Sequence, residues 1–318
     1  MKQHKTLHEI AQEIGLVALD VGARRGVNDD LKLIAPGVDF FGFEPDAIEC
    51  NKLNKINNNS HWKSLNFIPT ALGNSENNFD LNLYRQRGCS SKLIARKDIA
   101  KLFSREKYYI HDGIVSVPTK KLDDVVEEFH ICDPAYMKID VQGMEIDVFQ
   151  GAIKTISESI VCIRTEVNFF PMYEGLPLFA EIDQFLRRYG FVPMTFLEIH
   201  EWRRSTRQKL PNIDRNPMPY SKGQMIHGDI LYMLSPEFFS SLDENQIKRQ
   251  IRLGIISVCY DLFDHAEVIF KKPNIRNYCR NICNEDPLFI LHCLSQKKAQ
   301  KYIGINKIIR RICNKLLC

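Results

Sequence analysis

Four carboxylates stand where predicted β-strands end along the chain. Asp20, Glu44, Asp140 and Glu166 each close a mostly apolar run that is typical of a buried strand. The carboxyl ends of parallel strands meet at one rim of an open α/β sheet, and such sheets bind their ligands there. Four like charges at one rim repel one another unless a ligand or hydrogen bonds compensate them. The sequence therefore predicts a ligand site at this rim.

A glycine turn follows the first of these strands, in the sequence Asp20-Val-Gly-Ala-Arg-Arg-Gly26. Glycine at such a turn lets the backbone approach a bound nucleotide closely. The spacing departs from the G-x-G-x-x-G dinucleotide fingerprint where Arg24 and Arg25 stand. A pyrophosphate would also be repelled by Asp20, whereas a free ammonium group would be attracted to it.

The acid that ends the second predicted strand favours a ribose. Glu44 lies 18 residues after Gly26, near the spacing of about 20 residues at which an acid reaches ribose hydroxyls. An ammonium group and a ribose with no phosphate between them describe S-adenosylmethionine. The two acids and the glycine turn together therefore predict a site for that cofactor.

Several segments resemble the FkbM family of methyltransferases, over roughly residues 17–234. In chain order they are LDVGARRG, FEPD, ALGN, KIDVQGMEIDVFQGA, EVNFFPMYEGLPLFAEIDQFLRRYGF and GDILYM. The fourth segment is the most distinctive, because it combines a lysine, an acid, a glycine and a helix glutamate. The resemblance implies a class I methyltransferase (Rossmann-like) fold, an α/β fold with a doubly wound, mainly parallel sheet. It also implies O-methylation of sugars or of hydroxyls on secondary metabolites.

The resemblance further implies roles for individual residues. Those expected at the cofactor are Asp20, Gly22, Arg24, Gly26, Glu44, Asp46, Ala71 and Leu72. Ala71 and Leu72 would flank the adenine, while Asp46 also suits the N-cap of the next helix. Gln142 departs from the glutamate that the family pattern leads us to expect at its position.

Methyl transfer to a hydroxyl needs an acceptor oxygen placed about 3 Å from the methyl carbon. It also needs a base, which typically contributes about 10²–10⁴-fold in rate. Asp140 is the first candidate for a residue at the reaction centre and Glu166 the second. Glu145 would either orient the acceptor or simply complement the dipole of its helix. Three histidines are alternative bases among which the sequence does not choose: His111, His200 and His227.

Five polar residues are candidates for binding the acceptor, among them Ser91, for which the family resemblance implies this role: Ser91, Asn168, His200, Arg203 and Arg204. Ser91 lies in a Gly-Cys-Ser-Ser-Lys segment that would serve equally as an ordinary polar turn. Arg203 and Arg204 open a basic loop that continues through Arg207 and Lys209. A phosphate or a uronate on the acceptor would explain this loop, and so would simple exposure to solvent.

Predicted strands alternate with helices as far as residue 235, which favours a mainly parallel sheet. We predict LNFIPTALG as one strand, FDLNLYR as part of a hairpin and GMEIDVFQGAIKTI as one amphipathic helix. From Pro236 onward the pattern is that of helices. We therefore divide the chain into a methyltransferase domain at 1–235 and a helical extension at 236–318.

Charge separates the same two regions. Residues 241–318 contain 14 Lys+Arg and 7 Asp+Glu, a net charge of +7, whereas the whole chain carries +4. The first 240 residues must therefore carry −3, which argues against nucleic acid as the acceptor. The tail at 297–318 holds seven cations and no acid, a pattern that suits an anionic membrane surface or a dimer contact.

The composition, 44% hydrophobic and 26% charged, is that of an ordinary globular protein. We find no run of about 20 apolar residues that would span a membrane and no secretory signal. We therefore expect a cytoplasmic protein, at the inner face of the membrane if the tail binds lipid. Ten cysteines suggest no disulfide framework, and the loose cluster Cys279, Cys283, His292 and Cys293 predicts no metal.

Two other functions remain open at this point. One is an NAD(P)-dependent oxidoreductase, against which Asp20 and the lack of a correctly spaced third glycine argue. The other is a non-catalytic binding protein on the same fold, because fold alone does not determine function.

Overall fold

The computed structural model describes residues 7–56, 61–204, 222–239, 243–283 and 285–316, and the side chains of residues 56, 283 and 302–316 lie outside that description. The strands are β1 (Leu16–Val21), β2 (Val38–Phe43), β3 (Ser64–Ile68), β4 (Ala71–Leu72), β5 (Asn78–Tyr84), β6 (His111–Lys120), β7 (Pro134–Ile139), β8 (Cys162–Asn168), β9 (Phe191–Trp202) and β10 (Gln224–Leu234). The helices are α1 (Leu7–Glu13), α2 (Ala47–Ile56), α3 (Lys97–Leu102), α4 (Leu122–Glu128), α5 (Glu145–Gln150), α6 (Ile153–Glu158), α7 (Phe179–Arg187), α8 (Glu244–Cys259), α9 (Phe263–Phe270), α10 (Pro273–Cys283) and α11 (Pro287–Leu316).

A seven-stranded sheet in the order β3-β2-β1-β7-β8-β10-β9 forms the centre of the protein. Only β10 runs antiparallel to its neighbours, and the other adjacent strands are parallel. β1 is buried along its whole length, as its nearly continuous apolar sequence predicts for a strand covered on both faces. The α/β fold class predicted from the sequence, with its mainly parallel sheet, is confirmed.

A smaller sheet of three strands, in the order β4-β6-β5, corrects one prediction and confirms another. LNFIPTALG is two strands, because Pro69 has no N–H to continue a ladder and β4 turns away to pair with β6. The predicted hairpin is confirmed, because β5 pairs antiparallel with β6, the next strand along the chain. Residues 84–109 connect the two strands. We call residues 84–109 the cap.

The helix that follows β7 is broken into α5 and α6, although its sequence predicts one helix. The carboxylate of Asp123, at the start of α4, accepts hydrogen bonds from the backbone N–H groups of Lys154 and Thr155, at 3.0 and 2.9 Å. This carboxylate satisfies the first turn of α6 as an N-cap residue would, but from a separate helix. The break therefore depends on a tertiary contact that periodicity does not reveal.

Helix α8 packs into the main hydrophobic core, although it lies in the predicted C-terminal extension. Its Ile251, Leu253 and Ile255 are fully buried in the same cluster as the strands of the large sheet. The buried side chain of Arg249 donates to the carbonyl of Ile160 at 2.8 Å, and that of Arg252 donates to the carbonyl of Ile14 at 2.9 Å. The division at residue 235 stays a prediction about sequence character, since the core continues across it.

The basic tail belongs to α11 as far as residue 316. The side chains of residues 302–318 lie outside the described residues, and with them most of the surface predicted to touch a membrane or a second copy. Among the helices that the structure describes, none is both long and apolar enough to cross a bilayer.

Candidate active site

The acid at the end of β1 pairs with a lysine that the parallel register brings beside it. Asp20 aligns with Lys138 of β7, and Lys138 Nζ lies 3.1 Å from Asp20 Oδ1. Burial raises the pKa of Asp20, although Lys138 opposes this effect. Burial disfavours the charge on Lys138, but the charges of Asp20 and Asp140 outweigh it and raise the pKa of that ammonium group. Lys138 opens the KIDVQG motif, which was the sequence signal for it.

The predicted glycine turn brings β1 and β7 into close contact. Gly22 has φ +87°, and a Cβ there would lie 2.1 Å from the backbone carbonyl oxygen of Asp140. Gly26 also has a positive φ, of +76°. Asp140 N–H donates to the carbonyl of Val21 at 3.0 Å. The turn therefore tolerates no side chain at Gly22, for both steric and conformational reasons.

The acid at the end of β2 lies beside an arginine and an aspartate. Glu44 is buried and accepts a hydrogen bond from the backbone N–H of Asp46 at 2.9 Å. Arg24 lies 3.6 Å from Glu44 and 3.3 Å from Asp46, measured between guanidinium nitrogen and carboxylate oxygen. Burial raises the pKa of Glu44, against the opposing effects of the Asp46 N–H and Arg24. Asp46 accepts from the N–H groups of residues 48 and 49, so it caps α2 as predicted.

Ala71 and Leu72 form β4 and are both buried. They follow β3, whose last residue, Ile68, accepts a backbone hydrogen bond from Glu44 N at 3.1 Å. The two apolar residues therefore lie three positions beyond the strand end that is bonded to Glu44.

Gln142 joins the acids that end β7 and β8. Its side-chain Nε2 donates to Asp140 Oδ1 at 2.9 Å and to Glu166 Oε2 at 2.8 Å. A glutamate at this position would have no N–H to donate and would add a third negative charge. The departure from the family pattern thus has a physical consequence, because the amide lets two carboxylates lie close together. The bridging role of Gln142 is not apparent from the sequence alone.

Among the candidate histidines, the structure brings His227 to an acid. His227 Nδ1 lies 2.9 Å from Glu166 Oε1, and its ring stacks on that of His200 with the centroids 4.4 Å apart. His200 in turn approaches Glu198 at 3.1 Å. His111 lies apart from this group, at the start of β6, where its ring contacts Tyr84.

Burial disfavours the charged forms of both partners in the His227–Glu166 pair. It lowers the pKa of His227 despite the opposing charges of Asp140, Asp229 and Glu198. It raises the pKa of Glu166 well above its usual value, and the charges of Asp140 and Asp229 add to that rise. The imidazole is therefore held neutral, which is the form that accepts a proton.

Glu145 is fully buried and binds the loop that precedes it. Its carboxylate accepts hydrogen bonds from the backbone N–H groups of Val141, at 3.2 Å, and Gly143, at 3.0 Å. Burial, followed by the charge of Glu166, raises the pKa of Glu145 to about 8. It opens α5, as the sequence predicts, and its carboxylate fixes the turn between β7 and that helix.

Ser91 connects the cap to the same loop. Its hydroxyl donates to the carbonyl of Gln142 at 2.6 Å and accepts from Leu93 N–H at 3.0 Å. A separate hydrophobic cluster stabilises the cap, and its buried members are Tyr84, Ala95, Ile99, Ala100, Phe103, Tyr109, Met172, Tyr173, Leu176 and Ile226. Ser91 therefore lies where the cap meets the strand ends.

The remaining predicted acceptor residues lie on β8 and just after β9. Asn168 is buried and is the last residue of β8, opposite His227. Arg203 and Arg204 directly follow β9, whereas Arg207 and Lys209 lie outside the described residues. Within the described residues, no group of three His, Cys, Asp or Glu side chains is arranged to hold a metal ion.

The acids at the strand ends belong to one charged group, which we call the acidic pocket. Its members are the carboxylates of Asp20, Asp30, Asp140, Glu145, Glu166 and Asp229 and the cations Lys138 and Arg164. Arg164 of β8 donates to Asp30 at 2.7 Å and, through Nε, to Asp229 at 2.8 Å. Burial favours the protonated forms of Glu145 and Glu166, but the four aspartates still outnumber the two cations. The acidic pocket therefore attracts cationic groups and repels phosphates.

Two tyrosines are hydrogen-bonded to each other beside Asp30 of the acidic pocket. The hydroxyl of Tyr136, on β7, donates to Asp30 at 2.6 Å. It also forms a hydrogen bond of 2.9 Å with the hydroxyl of Tyr260, at the C-terminal end of α8. The helical extension thus contributes a side chain to the charged group.

The chain is similar to known methyltransferases. A family model described as "Methyltransferase FkbM domain" matches residues 20–193. The 2-O-methyltransferase NoeI of Sinorhizobium fredii (strain NBRC 101917 / NGR234) is 27% identical over 191 residues, which are 58% of this chain and 76% of that protein. The matched range of the family model includes Asp20, Glu44, Asp140 and Glu166, whereas His227 lies beyond it.

A solved structure is also similar, that of methyltransferase FkbM from Methylobacillus flagellatus KT, with a TM-score of 0.39 and 12% sequence identity. The alignment covers 69% of this chain and 44% of that one, so this chain spans less than half the length of the solved protein.

Proposed function

Because the chain belongs to the FkbM methyltransferase family, we propose that it moves a methyl group from S-adenosylmethionine to a hydroxyl oxygen of a sugar in a polysaccharide or glycolipid. The observation that carries the proposal is the excess of buried carboxylates at the carboxyl ends of β1, β7 and β8. S-adenosylmethionine brings an ammonium and a sulfonium, two cations that this charge would attract. The similarity to the 2-O-methyltransferase NoeI supports oxygen as the accepting atom.

The residues present fit this cofactor. Asp20 has Asp30 and Asp140 as acidic neighbours, so Lys138 alone does not neutralise these three carboxylates. A second ammonium group would therefore be attracted to Asp20. The carboxylate of Glu44 suits the hydroxyls of a ribose. The buried, apolar pair Ala71-Leu72 suits the face of a purine. Arg24 and Asp46 would complete the polar side of the site.

When bound, the cofactor supplies a methyl group on a positively charged sulfur, which is already activated for displacement. The chain must orient the acceptor hydroxyl and take its proton, and His227 is placed for the second task. Glu166 holds Nδ1 of the ring, which leaves Nε2 to accept the proton as the methyl–oxygen bond forms. Gln142 fixes Glu166 through its amide, so that the dyad keeps one geometry.

An NAD(P)-dependent oxidoreductase fits the same residues less well. A pyrophosphate would have to lie beside Asp20 and its acidic neighbours, which would repel it. A non-catalytic binding protein would have no use for a neutral histidine oriented by a buried glutamate.

Isothermal titration calorimetry with S-adenosylmethionine, S-adenosylhomocysteine and NADH tests the cofactor. We expect both sulfur compounds to bind, and Glu44→Gln to weaken both by about tenfold or more, the cost of one hydrogen bond to a charged group. Glu128→Gln, which alters an exposed acid paired with Lys120, is the matched control and should bind as the wild type does. Binding of NADH alone, or no binding of any of the three, would contradict the proposal.

A further inference from the structure

The cap carries a basic surface beside the acidic pocket. Residues 85–107 contain eight Lys+Arg and two Asp+Glu. Some of these cations are neutralised by acids, as in the pairs Arg87–Asp112 and Lys92–Asp147. Others have no carboxylate partner among the residues that the structure describes, and Arg105 is one of them. The cap therefore carries a net positive charge that its ion pairs do not neutralise.

Arg105 is held by aromatic rings. Its guanidinium carbon lies 4.9 Å from the centroid of the Trp202 ring and 5.4 Å from that of Tyr108. Its Nη1 also donates to the hydroxyl of Tyr108 at 3.3 Å. A guanidinium has five N–H donors in one plane, and ring faces occupy none of them. The side chain is thus ordered and half-buried, with donors left for a ligand.

The indole ring of Trp202 also contacts His227, the proposed base. The two ring centroids are 5.9 Å apart and the ring planes lie at 80°. Phe103 of the cap also packs against Trp202, with the two ring centroids 5.7 Å apart. Arg105 and His227 therefore contact the same indole ring, so one side chain separates the cation from the proposed base.

We infer that Arg105, seated on Trp202, binds an anionic group of the acceptor, so that the acceptor is an acidic saccharide bearing a carboxylate or a phosphate. The inference rests on the proposed function and adds a substrate class to it. A planar guanidinium matches the oxygens of either anion in a bidentate manner. The acids at Asp140, Glu166 and Asp229 repel an anion from the inside, so the anion is directed to the cap and the hydroxyl to His227.

Matched pairs of oligosaccharides test this inference. Each pair consists of a uronate-bearing glycan and its carboxyl-reduced counterpart, or of a phosphorylated glycan and its dephosphorylated counterpart. Calorimetry on the full chain saturated with S-adenosylhomocysteine should give about ten- to hundredfold tighter binding for the anionic member of at least one kind of pair. Which kind responds distinguishes a carboxylate from a phosphate.

Arg105→Gln should abolish this preference, whereas Lys101→Gln, an exposed cation of the same cap, should keep it. Equal binding of both members of every pair, no binding of any glycan, or an unchanged preference in Arg105→Gln each overturns the anionic subsite. S-adenosylmethionine binding is measured separately on the same preparations. A protein that binds this cofactor but does not prefer anionic glycans loses the subsite and retains the proposed function.

Discussion

The acidic pocket and the cap lie side by side but are built in opposite ways. Every charge of the acidic pocket except Asp30 and Glu145 stands on, or just beyond, a strand of the large sheet. The register fixes the neighbours of such residues, as it does for Asp20 and Lys138. The cap consists of short helical turns held by an aromatic cluster, separate from the main core. Buried acids dominate the first region, and partly exposed cations dominate the second.

This difference separates two tasks. On the proposed function, the rigid strands of the large sheet would bind the cationic cofactor. An acceptor varies, and segments outside the regular sheet can change in sequence without disturbing the strands. Opposite charges in the two regions would also sort the ligands, with cations drawn inward and anions held at the cap.

The largest effect is expected from removing the proposed base, His227, which lies beside Glu166 of the acidic pocket. With an acceptor found in the glycan panel, His227→Gln should lower kcat by about 10²–10⁴-fold and leave the KM for the cofactor unchanged. Burial lowers the pKa of His227 below its ordinary 6.5, so the rate of the wild type should fall on the acid side of pH 6.5. His130→Asn, in an exposed turn after α4, is the control. A rate that survives in His227→Gln would assign the base to another residue, with His200, which stacks on His227, as the first alternative.

The next largest effect is expected in the pH dependence of the free energy of unfolding. Burial raises the pKa of Glu145 from 4.5 to about 8, so the folded state holds a proton that the unfolded state releases. Stability should therefore be greatest below about pH 4.5 for this group and decline as the pH rises towards 8, by at most about 1.4 kcal/mol per pH unit.

Urea titrations at several pH values measure this decline. Glu145→Gln should reduce its slope, whereas Glu128→Gln, which replaces an exposed acid, should not. A slope that Glu145→Gln leaves unchanged would mean that the carboxylate is already charged in the folded protein at low pH.

The smallest effect is expected where the two regions meet. Ser91→Ala removes both a donor to Gln142 and an acceptor for Leu93 in a buried setting, which should cost about 1–3 kcal/mol of unfolding free energy. Ser157→Ala, on the exposed face of α6, removes a hydrogen bond of similar length and should change stability by less than about 0.5 kcal/mol. Equal effects of the two substitutions would show that the cap is not anchored through Ser91.

The strand ends could be predicted from the sequence because each acid follows a run of apolar residues. Asp20, Glu44, Asp140 and Glu166 are recognisable by local pattern alone, and so is the glycine turn. The links between them are not local. Gln142 reaches Glu166 only because residue 142 adopts φ +52° and β8 lies beside β7.

The choice among the histidines and the position of Arg105 depend on still longer connections. His227 meets Glu166 through the antiparallel pairing of β10 with β8, which fixes a register that composition does not encode. Arg105 meets Trp202 across a long stretch of chain, through packing of the cap. The break between α5 and α6 was missed for the same reason, because its cap comes from Asp123.

The hydrogen bond between Tyr136 and Tyr260 forms only after helix α8 has been synthesised. Domains fold as units while the chain leaves the ribosome. The strands that carry Asp20 and Tyr136 are synthesised long before Tyr260. Arg252, which donates a hydrogen bond to the carbonyl of Ile14, is also synthesised late. The growing chain therefore passes through a stage in which the charged residues of the strands have been synthesised but Arg252 and Tyr260 have not.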